Sequence, residues 1–245
     1  MSGIRLTSHM AAAADPLMHW LVEELDLTWV DGEWPDRLLS MSTGEVEVGW
    51  VCGLLHASRL ARSDWPFAAI AAPVMISERH GDRPQYFGDV VVSNGSEAQA
   101  LEDLAGTVFA YNETTSLSGY HMLLNRLGSL DQFERAVESG SHADSLTMVR
   151  SGLADVAVID STVMDMTVRC GSTDVGGIRT IESLGPYPMP PIVGSTTTDP
   201  RQLAEIHDRL VTLHTNEQSR RAMASWGVAR FEAVTDEVYL TLASG

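Results

Sequence analysis

The chain has 245 residues and is 44% hydrophobic, enough for one large or two modest hydrophobic cores. It carries 33 acidic residues against 16 basic ones, a net charge of -17, and every basic residue is Arg because the chain contains no Lys. Such a surface repels polyanions, which argues against nucleic-acid binding, and the missing Lys excludes a catalytic Lys, including the Schiff-base Lys of pyridoxal phosphate enzymes.

Strand and helix patterns alternate from the start. IRLTSHM (4 to 10) reads as a strand and PLMHWLVEEL (16 to 25) as a helix, with Asp15 and Pro16 as its start signal. DRLLSMSTG (36 to 44) predicts a helix stopped by Gly44, followed by the strand VEVGWVC, the helix LLHASRLA and the apolar strand FAAIAAPVMI. A polar turn, RHGDRPQ, leads to the strand YFGDVVVS (86 to 93). The spacing then predicts a helix at EAQALEDLAG, a strand at TVFAYN, helices at SGYHMLLNRLG and HADSLTMVRSG, the strand ADVAVID and the helix STVMDMTVRC. The Pro- and Gly-rich segment 177 to 200 predicts two extended crossings, and DPRQLAEIHDRLVTLHT and NEQSRRAMASWG are helical. This order implies an α/β fold with a mostly parallel sheet and helices on both faces.

Cys52 and Cys170 form no CxxC pair, so neither a zinc site nor a disulfide framework is indicated, and no cofactor is expected. No segment approaches the ~20 apolar residues of a membrane span. The N-terminus has no basic region followed by a long apolar run, so the chain as written is expected to stay in the cytoplasm.

STGEVEVGWVC (42 to 52) lies over RSGLADVAVID (150 to 160), with Gly44 on Gly152, Val48 on Val156 and Val51 on Ile159. Any helix, glycine stop and buried strand looks alike, so the echo is open to a trivial reading. If it marks two similar lobes, the strand ends at Cys52 and Asp160 are expected to line one cleft, since ligands of parallel sheets sit beyond the strands' carboxyl ends.

Three stretches carry a family resemblance: GEVEVGWVCGLLHASRLA, YFGDVVVSNGSEAQALEDLAGTVFAYNETTSLSGY and GSHADSLTMVRSGLADVAVIDSTV. In their order and spacing the chain resembles the type II periplasmic binding proteins that serve phosphate, phosphite and phosphonate ABC transporters. The resemblance implies two α/β lobes with mixed, mostly parallel sheets joined by a two-strand hinge. Lobe one would combine residues 1–88 and 190–245, and lobe two would be 89–189. It also implies capture of a small anionic or zwitterionic ligand, phosphonate- or phosphate-like, by hinge closure around an interlobe cleft, with an ABC transporter permease as the protein partner.

ETTSLSGYH, before a helix, supplies Ser116, Leu117, Ser118, Gly119 and Tyr120. Hydroxyls and a glycine at a helix start make either a cap or an anion seat, because both use the same unpaired N–H groups. Leu117 stands where the family commonly has Thr, which removes one hydroxyl donor and leaves a phosphonyl group or a less polar ligand admissible. His142 matches the family His as a ligand donor, against the alternative of a surface or capping residue. Asp160 matches an acceptor for a ligand amine or hydroxyl, or caps the helix starting at Ser161. Tyr86 matches a ligand-reaching Tyr, with Tyr187 a weaker candidate. In lobe one, Ser8 and His9 follow the first strand, and Trp50, Cys52 and His56 surround the end of the second. His56 stands about where the family often has Tyr. GxSxG and HExxH are absent, so the competing reading, a cytoplasmic enzyme or ligand sensor on the same fold, has no recognisable catalytic set.

Overall fold

The computed structural model describes residues 3–10, 15–32, 36–169 and 176–244. The chain divides into two compact units, residues 1–85 with 188–245 (unit 1) and residues 86–187 (unit 2).

Unit 1 begins with β1 (Arg5–Ser8), α1 (Asp15–Leu25), β2 (Thr28–Trp29), α2 (Asp36–Ser42), β3 (Val48–Trp50), α3 (Gly53–Arg62) and β4 (Phe67–Met75). In α1 the apolar positions 17, 18, 21 and 25 fall on one face, and all four side chains are buried. Gly44 stops the α2 segment with φ 75, a left-handed value that glycine adopts without a Cβ clash. β3 follows with every residue buried. Met41, Val46, Val51, Trp65, Phe67 and Val193 then close one core cluster.

Unit 2 holds most of β5 (Gln85–Ser93) and all of β6 (Val108–Tyr111), α4 (Met122–Leu127), β7 (Arg135–Glu138), α5 (His142–Ser151), β8 (Val156–Asp160) and α6 (Ser161–Arg169), and most of β9 (Ile178–Pro188). β8 repeats the unit 1 pattern: Gly152 ends α5 at φ 74, and the strand after it is buried throughout. Its core cluster joins Val91, Ala110, Leu146, Val149, Ala154, Ala157 and Ile159. Back in unit 1 the chain adds β10 (Ile192–Ser195), α7 (Pro200–Thr212), α8 (Glu217–Ser225), β11 (Val228–Ala233) and α9 (Asp236–Leu240). Asp199 caps α7 by accepting from Arg201 N at 2.8 Å, with Pro200 in the first turn.

The fold is α/β, and both sheets are mixed. Among the described residues the unit 1 sheet runs β11-β4-β10-β3-β1-β2 and the unit 2 sheet β7-β6-β8-β5-β9. β1 is parallel to β2 and β3, whereas β10 is antiparallel to both β3 and β4. In unit 2, β6 is parallel to β7 and β8, and β5 runs antiparallel to β8 with Gly88 opposite Asp160.

Two local readings differ from the structure. EAQALEDLAG forms only a single 3₁₀ turn, Leu101–Leu104; the Asp103 carboxylate accepts from the Gln99 and Ala100 N–H groups, and Gly106 turns left-handed at φ 76. β7 and β11 had no strand signal because each is a sheet edge, where one face need not be apolar. β7 in particular has no buried residue. Cys170 lies outside the described residues.

Candidate functional site

In unit 2 the parallel trio β7-β6-β8 brings three carboxyl ends to one edge, at Glu138, Tyr111 and Asp160. The loop after β6 runs into a π-helical turn, Leu117–His121, that continues as α4. The two serines of this turn have separate jobs. Ser116 is the cap, with Oγ accepting from Gly119 N at 3.1 Å. Ser118 is buried, and its Oγ lies 3.2 Å from His142 Nε2.

His142 opens α5 behind the cap Ser141, whose Oγ accepts from Asp144 N at 3.0 Å. Burial drives the His142 pKa down to about 4, against a smaller opposing pull from the Val158 backbone, so the ring is neutral at pH 7. Gly119 packs beside it: a Cβ at Gly119 would lie 3.3 Å from His142 Cε1 and 1.9 Å from Asn112 Oδ1. Leu117 is buried, and Tyr120 is half-buried, edge-on to Tyr111 with ring centres 4.9 Å apart. Ser116, Ser118, Gly119, Asn112 and His142 therefore form one cluster, with no Arg in segments 112–121 or 139–145.

Asp160 is 4% exposed, and its Oδ1 accepts from both Thr162 N and Thr162 Oγ1 at 2.7 Å. It therefore caps α6, and its charge faces the helix's positive end. Tyr86, the first residue of unit 2, is buried at 2% exposure.

In unit 1 the parallel strands β1 and β3 bring their ends together. Ser8 pairs with Trp50 in register, and His9 N donates to Trp50 O at 2.8 Å. Ser8 is buried, with Oγ accepting from Met10 N. The Trp50 indole N–H donates to Pro190 O at 2.9 Å, and Cys52 is half-buried at the N-cap of α3. Burial, with the nearby Arg37 charge, lowers the His9 pKa to about 4. His56 points inward. Its Nδ1 accepts from Trp65 Nε1 at 3.0 Å, and because an indole only donates, the ring proton is on Nε2, which donates to Asp236 Oδ1 at 2.8 Å. Its position beside the strand end therefore reflects core architecture.

Two residues of these clusters escaped the sequence reading. Asn112 carried one faint signal, a polar residue directly after a buried strand at its carboxyl end. Arg37 had none that pointed to the end of β1, where it donates to Ser8 O at 3.2 Å and pairs with both oxygens of Asp15 at 3.0 Å. Among the described residues no group of three or more His, Cys, Asp or Glu is placed to hold a metal ion, and no helix is long and apolar enough to cross a membrane.

A family model described as "ABC transporter, phosphonate, periplasmic substrate-binding protein" matches residues 5–239. No curated protein matches the chain in sequence. Among solved structures, the binding-protein component of an ABC phosphonate transporter from Pseudomonas aeruginosa aligns with a TM-score of 0.79 at 16% identity, over 98% of this chain and 83% of the other. PhnD1 from Prochlorococcus marinus, solved in complex with methylphosphonate, aligns with a TM-score of 0.80 at 15% identity, over 98% and 95%. A Xanthomonas citri protein bound to ATP aligns with a TM-score of 0.67 at 18% identity, over 98% and 95%. At these identities the likeness establishes the fold, that of type II periplasmic binding proteins. The family is described as periplasmic, which gives the cytoplasmic expectation no support.

Proposed function

Since the chain belongs to the family of periplasmic substrate-binding proteins of phosphonate ABC transporters, we propose that it captures a small phosphonate-like oxyanion and hands it to a transporter permease, with the Ser118–His142 cluster of unit 2 as the anion seat. The observation that carries the reading is the family match over residues 5–239, and it supports solute binding over a cytoplasmic enzyme or sensor built on the same fold.

The seat's chemistry agrees with this. Ser118 and the neutral His142 are buried hydroxyl and imidazole groups beside Gly119, over which the Asn112 carboxamide packs. Binding here would rest on neutral hydrogen bonds in a site of low polarity, where each counts for more than in water. The proposed contacts in unit 2 are Ser116, Leu117, Ser118, Gly119, Tyr120 and His142 with Tyr86 and Asp160; Leu117 acts through its backbone N–H. Asp160 is the proposed carboxylate partner for the ammonium of a zwitterionic ligand. In unit 1 the proposed contacts are Ser8, His9, Trp50 and Cys52, at the ends of β1 and β3.

Isothermal titration calorimetry against phosphate, phosphite, methylphosphonate and 2-aminoethylphosphonate tests the proposal. At least one should give saturable heat and raise the melting temperature. Neither heat nor a melting shift with any of the four would overturn it.

A further inference from the structure

Asn112 is the first residue beyond β6, and its backbone carbonyl accepts from Gly140 N at 2.9 Å, which holds it at the carboxyl edge of the parallel trio. From there its carboxamide folds over Gly119, so close that a methyl group at Gly119 would overlap Oδ1. The same methyl group would touch His142 Cε1. Asn112 and His142 therefore lie on the same side of Gly119, with Ser118 bonded to His142.

Hydrogen-bonding capacity is left over in this cluster. Asn112 Oδ1 is buried and has no hydrogen-bond partner, whereas the His142 ring meets Ser118 Oγ and the Val158 backbone. Buried polar atoms in folded proteins are nearly always satisfied, so an orphan at a candidate site calls for a missing partner. A carboxamide oxygen can only accept, so the missing group is a donor. Leu117 sharpens the point, because its apolar side chain occupies the position between the two serines.

We propose that Asn112 is a specificity-determining ligand contact: its Oδ1 accepts a hydrogen bond from the bound ligand, so the seat selects an oxyanion that carries a hydrogen, such as a phosphonate monoanion, over one of the same shape and charge that carries none. The proposal rests on the solute-binding reading and deepens it by naming the protonation class of the ligand. Methylphosphonate monoanion and methanesulfonate are the informative pair, both tetrahedral, singly charged and methyl-capped. Only the phosphonate has an O–H to give. A sulfonate oxygen would meet Asn112 Oδ1 as acceptor against acceptor, both stripped of water, which predicts a preference for the phosphonate of about tenfold to a hundredfold. Rotating the carboxamide to offer Nδ2 instead is the one escape open to the wild-type side chain, and Asp in its place lacks it.

The experiment is calorimetric titration of wild type, N112L and N112D with both probes at a pH where methylphosphonate is largely the monoanion. Wild type should prefer methylphosphonate at least tenfold. N112L, similar in size and without an acceptor, should bind both probes within about threefold of each other, and N112D should keep the preference at lower overall affinity. If N112L does not fold, N112A replaces it. Wild type that binds both probes equally would overturn this assignment and leave the solute-binding reading standing. A preference that survives in N112L or N112A, or disappears in N112D, would overturn it equally and assign Asn112 a packing role. Wild type that binds no methylphosphonate would overturn this assignment, and wild type that binds none of the four oxyanions above would overturn both readings.

Discussion

Gly119→Ala offers the most direct probe of the seat's packing. The Gly119 φ is not left-handed, so the backbone accepts Ala, and replacing Gly in an ordinary helical turn gains about 1 kcal/mol from reduced chain freedom. Against this stands the new Cβ, 1.9 Å from Asn112 Oδ1 and 2.8 Å from Cγ. Reaching the 3.4 Å of an ordinary contact requires the carboxamide to retreat by 1.5 Å. Overpacking of that kind costs about 1–3 kcal/mol, so G119A should be destabilised by up to about 2 kcal/mol net. Asn112→Ala removes the obstructing group. The double variant should therefore recover stability, with a coupling energy of about 1–3 kcal/mol in the cycle. Urea denaturation of the four proteins measures this, and titration of the same samples with methylphosphonate should show weaker binding in G119A. The reasoning fails if G119A is about 1 kcal/mol more stable than wild type and shows no coupling to N112A, since Asn112 would then not pack over Gly119.

Two further outcomes are expected. His142 has a folded-state pKa lowered to about 4 by burial, while an unfolded chain holds it at the ordinary 6.5; the unfolded state thus binds the extra proton first, and stability from this group is full above pH 6.5 and falls as the pH drops towards 4. The loss is about 3 kcal/mol at most, so the stability difference between pH 7.5 and pH 4.5 should be smaller in H142Q than in wild type, and equal losses in the two proteins would refute the assignment. The net charge of -17 makes the compact state repel itself. Raising KCl from 0.1 to 1 M shortens the screening length from about 10 to 3 Å and should raise the melting temperature by several degrees, whereas a flat or falling response would mean that paired charges dominate the surface.

The sequence was most legible where one short segment holds both the pattern and its cause. Residues 142 to 160 read as helix, glycine stop and buried strand, and the structure has α5, a left-handed Gly152 and β8 in that order. The antiparallel placement of β10 between β3 and β4 was not legible, because no local pattern records which neighbour a strand of four residues will choose. Edge strands were missed for a related reason: Arg135–Glu138 is held by its ladder to β6, and its own side chains report none of that burial.

His56 and His142 show the same limit at the level of single side chains. Both open or follow a strand end before a helix, and each was a reasonable ligand residue. The difference is made by distant residues: Asp236, 180 positions away, accepts from His56 while Trp65 donates to it, so both ring nitrogens are satisfied inside unit 1. His142 instead meets one hydroxyl, Ser118 Oγ, and the Val158 backbone, and it lies next to Asn112 Oδ1, which has no partner. A motif can nominate polar residues for a ligand, but what separates a binding group from a structural one is whether the rest of the chain has already met its hydrogen-bonding demand. By that criterion His56 is structural, whereas Asn112 Oδ1 beside Gly119 still lacks a donor, which is what a protonated oxyanion brings.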